Sequence, residues 1–377
     1  MNLQLSLPFN PQSDSASFFD SVPSRSAVFA LFPPDGAHLS TPPYLGRTRD
    51  LRRRLVRLLS TRREPSRLLN LREFVARVDY QLVGSGFEAQ WLLYLLHRAY
   101  YPDQYRRRLR LSPPALLKLN LRNRFPRCCP TRRLSNDGSH YYGPFPSQVA
   151  AERFASEFLD FFKIRRCVED LDPHPSHPGC IYSQLRMCLA PCYAGCTDAE
   201  YENEVARVAA SLDAQGQPLL RSLESERAQA SDALEFEEAS RIHRRIEKLN
   251  EVLREKPDLV RNLRDLHAIL VERGAEANSL AFFRVVGGEL HGPATLSFDE
   301  NVPAPTPLDQ LLQALLSGLA PGPARPDASP LPPWEHLSLL ARWYYSSFRE
   351  GELVMLNPDH TIPHSRLIRI CRKLLAA

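Results

Sequence analysis

Ala27-Val28-Phe29-Ala30-Leu31-Phe32, followed by Tyr44-Leu45-Gly46-Arg47-Thr48-Arg49-Asp50-Leu51-Arg52-Arg53-Arg54-Leu55, is the stretch on which the fold turns. Its first part is a short apolar run ending in the turn-forming Pro33-Pro34-Asp35-Gly36, and a second run closes at Gly46. Runs of that length, bounded by Pro and Gly, predict two strands joined by a loop. Beyond them Leu51, Leu55, Leu58 and Leu59 recur at helical spacing, with Arg52, Arg53, Arg54 and Arg57 on the other faces. That pattern predicts an amphipathic helix over residues 49–60. Residues 74–83 read as a third strand, and 87–100 as a strongly apolar helix stopped by Pro102. Together they make a small α/β module covering about residues 25–110. Residues 1–24 are polar, lack periodicity and read as a flexible tail.

The 377 residues are 43% hydrophobic and 24% charged, which excludes wholesale disorder, and 33 prolines favour several domains. No apolar run approaches the ~20 residues of a membrane span. No basic cluster followed by an apolar core marks a secretory signal near Met1. A cytoplasmic protein without a membrane partner is expected. The net charge of +5 conceals an asymmetry: residues 41–133 hold 22 Lys+Arg against 6 Asp+Glu, a local +16, so the remainder sums to −11. Only five of the 48 basic residues are lysine; a compositional bias explains that preference but not the clustering. Such a block is the footprint of a domain that meets phosphate, and DNA is the expected partner. The candidate contacts are Arg47, Arg49, Arg53 and Arg57, extended by Arg106 and Arg107.

Residues 111–140 are irregular and basic and read as a linker. Tyr142-Gly143-Pro144-Phe145-Pro146-Ser147 then precedes a helix expected over 148–162, inside a cysteine-rich module of residues 141–200. Residues 201–257 are helical, with a pair of helices broken near residues 233–236. In the second helix Phe236, Ala239, Ile242, Ile246, Leu249 and Leu253 form one apolar stripe. Residues 258–300 read as a β-meander with Gly287-Gly288 as a hairpin turn, 301–333 as a Pro-rich linker, and 334–377 as terminal helices. The expected fold class is α+β, in several domains.

Cys167, Cys180, Cys188 and Cys192 are separated by twelve, seven and three residues, and Cys196 follows. Four soft thiolates within one short segment suit zinc or an iron–sulfur cluster. Pro173, Pro175, Pro178, Gly179 and Pro191 make turns among them, so the segment is not a periodic core element. Cys128, Cys129 and Cys371 lie apart from other ligands and read as ordinary thiols.

Taken in order, several of these segments resemble the UvrC family, the nuclease subunit of bacterial nucleotide excision repair. Ala27-Val28-Phe29 and Tyr44-Leu45-Gly46 look like the two halves of a GIY-YIG nuclease signature, and Gly46 to Leu55 is similar to the family's basic first helix. Tyr142 to Ser147, the set Cys167, Cys180, Cys188 and Cys192, and Leu234-Glu235-Phe236-Glu237-Glu238-Ala239 follow in the family's order. The last resembles the UVR motif, a helical hairpin. The resemblance implies a GIY-YIG-like domain, a cysteine-cluster module, a UVR hairpin and a small C-terminal α/β segment. It also implies a [4Fe-4S] cluster on the four cysteines, with zinc as the alternative that the residues alone leave open. A UvrB-like partner is implied at Leu234, Phe236 and Ala239. The chain stops at Ala377, before the RNase H-like and helix-hairpin-helix domains of full-length relatives, so the resemblance allows it at most the GIY-YIG incision.

Cleaving a phosphodiester requires an activated water and a divalent ion with hard oxygen ligands. In the family a Glu on the helix after the third strand holds that ion, and the resemblance places Leu93 there. Phe29, Leu58 and Tyr105 replace a tyrosine, a tyrosine and an asparagine of the family pattern, and Arg47 replaces a lysine. Tyr44 and Arg54 remain. The expectation is an inactive nuclease fold that binds DNA, with Mg²⁺ relevant only if the site works. The alternatives are an active single-incision nuclease and a metal-cluster scaffold that binds no DNA.

Overall fold

The N-terminal segment expected to be a loose tail carries structure: Leu5–Pro8 forms β1 and Ala16–Ser21 forms α1. The computed structural model describes residues 3–12, 16–34, 42–61, 69–298, 308–319 and 331–376. The reason for the ordering is apolar: Phe9 and Val22 are buried, and Phe9 meets Phe18 edge to face at 5.0 Å. β2 (Ala27–Phe32), β3 (Tyr44–Thr48), α2 (Leu51–Leu59), β4 (Arg77–Leu82) and α3 (Gly86–Tyr100) follow, the strands and helices that the sequence predicts, within a few residues. The sheet is antiparallel in the order β1-β4-β2-β3. Part of the turn read at Pro33 to Gly36 lies outside the described residues.

Alternation along β2 divides this sheet into two faces. Phe29 and Leu31 pack with Leu51, Leu55 and Leu58 of α2, whereas Val28 and Ala30 pack with Ala89, Leu92 and Leu96 of α3. The opposite side of α3, Phe87, Trp91 and Tyr94, is buried elsewhere. A helix covered on both sides is apolar all round, which is why its sequence lacks a polar face.

The short α4 (Tyr105–Arg108) leads to a second sheet. Residues expected to be a basic linker instead form β5 (Ala115–Asn120) and β6 (Arg127–Thr131). They pair with β7 (His140–Phe145), and the strand β8 (Arg261–Asn262) completes the order β6-β5-β7-β8. The linker expectation fails because Leu116, Leu117 and Leu119 bury fully between basic surface residues that dominate the local composition. Between β7 and β8 run α5 (Gln148–Leu159), α6 (Ile181–Gln184), α7 (Asp198–Asp213), α8 (Gln217–Asp232) and α9 (Phe236–Glu255). Phe154 and Phe158, Tyr201, Leu223 and Ile246 join one core, so sheet, cysteine segment and hairpin share a domain rather than forming separate modules.

The expected meander is present as β9 (Ala268–Arg273), β10 (Ser279–Val286) and β11 (Glu289–Ser297). Gly287 and Gly288 both take positive φ, 56° and 80°, as a tight hairpin turn requires. α10 (Leu308–Gly318) falls within the stretch read as linker; most of the remaining 301–333 lies outside the described residues. α11 (Trp334–Tyr344), β12 (Glu352–Met355) and α12 (His364–Ala376) end the chain, and β12 extends the sheet to β11-β10-β9-β12. That strand was unexpected among terminal helices. Its four residues are too few for periodicity to register. No helix among the described residues is long and apolar enough to cross a membrane.

α3 is shared between the first and third sheets. Phe87 meets Phe283 edge to face at 4.9 Å, and Trp91 Nε1 donates to the Gly292 carbonyl at 2.7 Å. Gly84 lies against Gly274 so closely that a Cβ would stand 2.1 Å from the Gly274 carbonyl carbon. Inside this junction Glu272 is buried. Trp343 Nε1 donates to its Oε1, while Oε2 has no partner among the described residues. Burial pushes its carboxyl up to about 7, Ser85 and Trp343 oppose the shift, and Glu350 and Glu88 add to it. The folded protein therefore holds this proton more tightly than the unfolded chain, whose value is near 4.5. The stabilisation is complete below about pH 4.5 and fades as pH rises through about 7. Buried His336 is pushed down to about 4 and acts in the opposite sense, losing stability as pH falls from about 6.5. Comparison of urea midpoints for wild type and Glu272→Gln should show the variant gaining roughly 2–4 kcal/mol on wild type between pH 4.5 and 7.5. A pH-independent difference would show that Glu272 ionises normally.

Candidate functional site

Tyr44 and Arg54 meet because α2 starts at a fixed point beside β3. Asp50 caps the helix, accepting from Arg53 N at 3.0 Å and from the Ser24 hydroxyl at 2.7 Å. One turn further on, Arg54 Nη2 donates to Tyr44 Oη at 3.1 Å. Arg54 Nε is buried with no hydrogen-bond partner, and no carboxylate lies within ion-pair distance of Arg54, among the described residues. Phe29 is fully buried, its ring 6.2 Å from that of Tyr44.

Leu93 packs with the Val28, Ala30 and Leu45 cluster. Leu45 and Tyr44 point to opposite faces of β3, so Leu93 touches the face away from Tyr44. Glu88, the one carboxylate on α3, is 4% exposed and closes its own helix start by accepting from Gly84 N at 2.8 Å. Leu58 is buried beneath α2, and Tyr105 donates its hydroxyl to Glu335 at 2.7 Å.

The basic residues separate into those left exposed and those turned into the protein or neutralised. Arg47, Arg49, Arg53, Arg57 and Arg107 are exposed. Arg52, on the same helix, is turned inward to the Val22 and Asp20 carbonyls and ties α1 to α2. Arg106 is neutralised by Glu335 at 2.8 Å and lies over the Trp334 ring. Sequence reasoning could not see this pairing, because the partner stands 229 residues away.

The four cysteines occupy one locality. Cys188 is pushed up to about 11 by burial and then by Cys167, Cys180 and Cys192, each close enough to act on it. Ala190 N donates to Cys188 Sγ at 3.3 Å, and the left-handed turns at Ala190 and Ala194 fold the segment around Cys192. The thiols feel one another's charge, yet among the described residues no three His, Cys, Asp or Glu side chains stand close enough to hold a metal ion. The donor chemistry fits a thiolate-bound metal, with looser spacing than a closed site. Cys196 lies nearer Glu200 and Asp198, while Cys128 and Cys371 are buried in core packing.

In the helical hairpin the expected stripe divides. Ile242, Ile246 and Leu249 are buried, and Ala239 is half-buried against the core. Leu234 and Phe236, at the tip, are 71% and 66% exposed. Leu234 holds φ +62°, a left-handed conformation costly for a branched side chain, so the tip projects both side chains outward.

Residues 115–211 match the UvrC/Cho excinuclease middle domain, and residues 219–252 match the UvrB/uvrC motif. Across both matches the chain is similar to the UvrC family. It is 27% identical over 305 residues to UvrABC system protein C of Idiomarina loihiensis, covering 81% of this chain and 48% of the relative. The Proteus mirabilis protein of the same name is 28% identical, covering 80% and 48%, and that of Methanothermobacter thermautotrophicus is 25% identical, covering 84% and 52%. The chain spans about half the length of the curated relatives it matches. No solved structure matches it. The UvrC middle domain begins at β5, the strand hidden within the supposed linker, and the UVR motif coincides with the α8–α9 hairpin.

Proposed function

We propose that the chain is a DNA-binding protein of nucleotide excision repair, of the UvrC type, whose GIY-YIG-like site does not cut. The observation that carries the proposal is the Tyr44–Arg54 pair, held by a hydrogen bond, flanked by exposed Arg47, Arg49, Arg53 and Arg57, with no carboxylate within ion-pair distance of Arg54 among the described residues. Such a surface has the positive charge to hold a phosphate backbone but no hard ligand for the cation that cleavage needs. Arg107 extends it, and Arg106, neutralised by Glu335, does not. The exposed tip of the hairpin is the docking point for a UvrB-like partner. Cys167, Cys180, Cys188 and Cys192 would hold a [4Fe-4S] cluster or zinc. When bound, such a group supplies metal–thiolate bonds that cross-link a segment built of turns; iron and zinc analysis distinguishes the two.

Gel-shift titration of duplex DNA at several salt concentrations tests the DNA reading. Five phosphate contacts predict a slope of log K against log salt near −4.5, about a 500-fold loss over a fourfold rise in salt. Absence of retention, or retention indifferent to salt, overturns it.

A further inference from the structure

The run Tyr142-Gly143-Pro144-Phe145-Pro146-Ser147 has no role in the reading above, yet its parts are tightly placed. Tyr142 donates to Asp213 at 2.9 Å, the Pro144 carbonyl accepts from the Tyr345 hydroxyl at 2.8 Å, and Ser147 caps α5 by accepting from Ala150 N at 3.1 Å. The β7–α5 corner thereby faces α11 across a cleft of about 210 Å³.

Donors dominate the polar lining of this cleft. Arg132 and Arg342 stand at its walls with Ser112, Ser147 and Ser338, and no carboxylate lines it. Arg132 Nη1 donates to the Pro113 carbonyl at 3.3 Å and Arg342 Nη2 to the Arg110 carbonyl at 2.9 Å. Each guanidinium is thus positioned by one N–H, and neither has an ion-pair partner among the described residues. Ser338 is 7% exposed, and its hydroxyl, at the cleft wall, makes no hydrogen bond among the described residues. With no protein partner among the described residues, the hydroxyl is open to the cleft and free to bond whatever occupies it. The cleft also borders the first turn of α5, a twelve-residue helix whose Gln148 and Val149 N–H groups have no backbone partner among the described residues.

We propose that this cleft binds one phosphate group of a nucleic-acid strand, held by Arg132, Arg342, Ser338 and the N-terminus of α5. Forked guanidinium donors, a hydroxyl and a helix N-terminus match the tetrahedral acceptor set of phosphate, and leave no acceptor for a cation. The strand source rests on the DNA-binding reading. It is favoured because Arg47, held below its usual range first by burial and then by the charge of Arg342, stands within electrostatic reach of the cleft. A backbone crossing the arginines of the first sheet continues toward Arg342.

The test uses the full chain, with Arg132→Gln/Arg342→Gln and Ser338→Ala as variants whose folding is checked by thermal melting. Duplex DNA is titrated by gel shift across a salt series, and inorganic phosphate by calorimetry. The double variant is expected to bind DNA about tenfold more weakly, with a salt slope shallower by about 1, and Ser338→Ala to weaken binding severalfold. Wild-type DNA binding that both folded variants retain in full, with unchanged slope, overturns the cleft while leaving the DNA reading intact. If wild type retains no DNA but binds inorganic phosphate in a manner lost in the variants, the cleft stands, free phosphate is its source, and the DNA reading fails. If neither ligand binds, both fall. Should the double variant not fold, Ser338→Ala decides, since it removes one oxygen that holds nothing in place.

Discussion

Incubated with lesion-bearing duplex and Mg²⁺ or Mn²⁺, the chain is expected to leave both strands uncut, and Tyr44→Phe to change nothing. Phosphodiester hydrolysis develops negative charge on a pentavalent phosphorus, and an enzyme meets it with a bound cation and fixed donors. Arg54 and Tyr44 supply a charge and a hydroxyl, joined at 3.1 Å. The cation has no anchor there: Leu93 packs with Leu45 on the other face of β3, and Glu88 is turned into its own helix start. Loss of the metal is worth at least ~10³ in rate, since even one lost transition-state donor costs 10²–10³. Metal-dependent nicking that disappears in Tyr44→Phe would refute the inactive reading and show that a carboxylate reaches the pair from residues outside those described. The experiment needs the salt-dependent retention described above as its control, so that an uncut strand is known to have been bound.

Phe236→Ala is expected to weaken capture of UvrB by about 30-fold or more, with no loss of thermal stability. Buried aromatic anchors at interface centres are worth about 2 kcal/mol or more, whereas truncating an exposed side chain alters folding by about 0.5 kcal/mol at most. Phe236 meets both conditions, being 66% exposed in the free chain and flanked by charged Glu237, Glu238 and Arg241 that can form a polar rim. Leu234→Gly should act in the same direction on binding and leave stability equal or higher, because glycine takes φ +62° without strain. Ala239 behaves differently: it packs against the hairpin core, so enlarging it disturbs the fold as well as the surface. Equal recovery of UvrB by wild type and Phe236→Ala would mean the tip is not the docking point.

What could be read along the chain was whatever repeats locally. Ala27–Phe32 and Leu51–Leu59 carry their own period and boundaries, and so do the two helices around the Ala233 break and the Gly287-Gly288 hairpin. Backbone hydrogen bonds close within a few residues there, so nearby side chains determine the outcome. β5 and β12 were missed because four to six residues among prolines and arginines do not register as a period. The Tyr44–Arg54 pairing was half legible: both residues stood out, but their contact depends on where α2 lands against β3.

The sequence alone determined the α+β character, the basic first region, the helical hairpin and the cysteine-rich segment. Tertiary structure decided which charges stay available, since Glu335 takes Arg106 and nothing near either residue announces it. It also decided that α3 lies between two sheets, that Phe236 is left uncovered while Ile242 is buried, and that Ser338 and Arg132 line one cleft. Burial and charge pairing join residues hundreds of positions apart. A local pattern states that a face is apolar or basic; only the packed chain states what covers it.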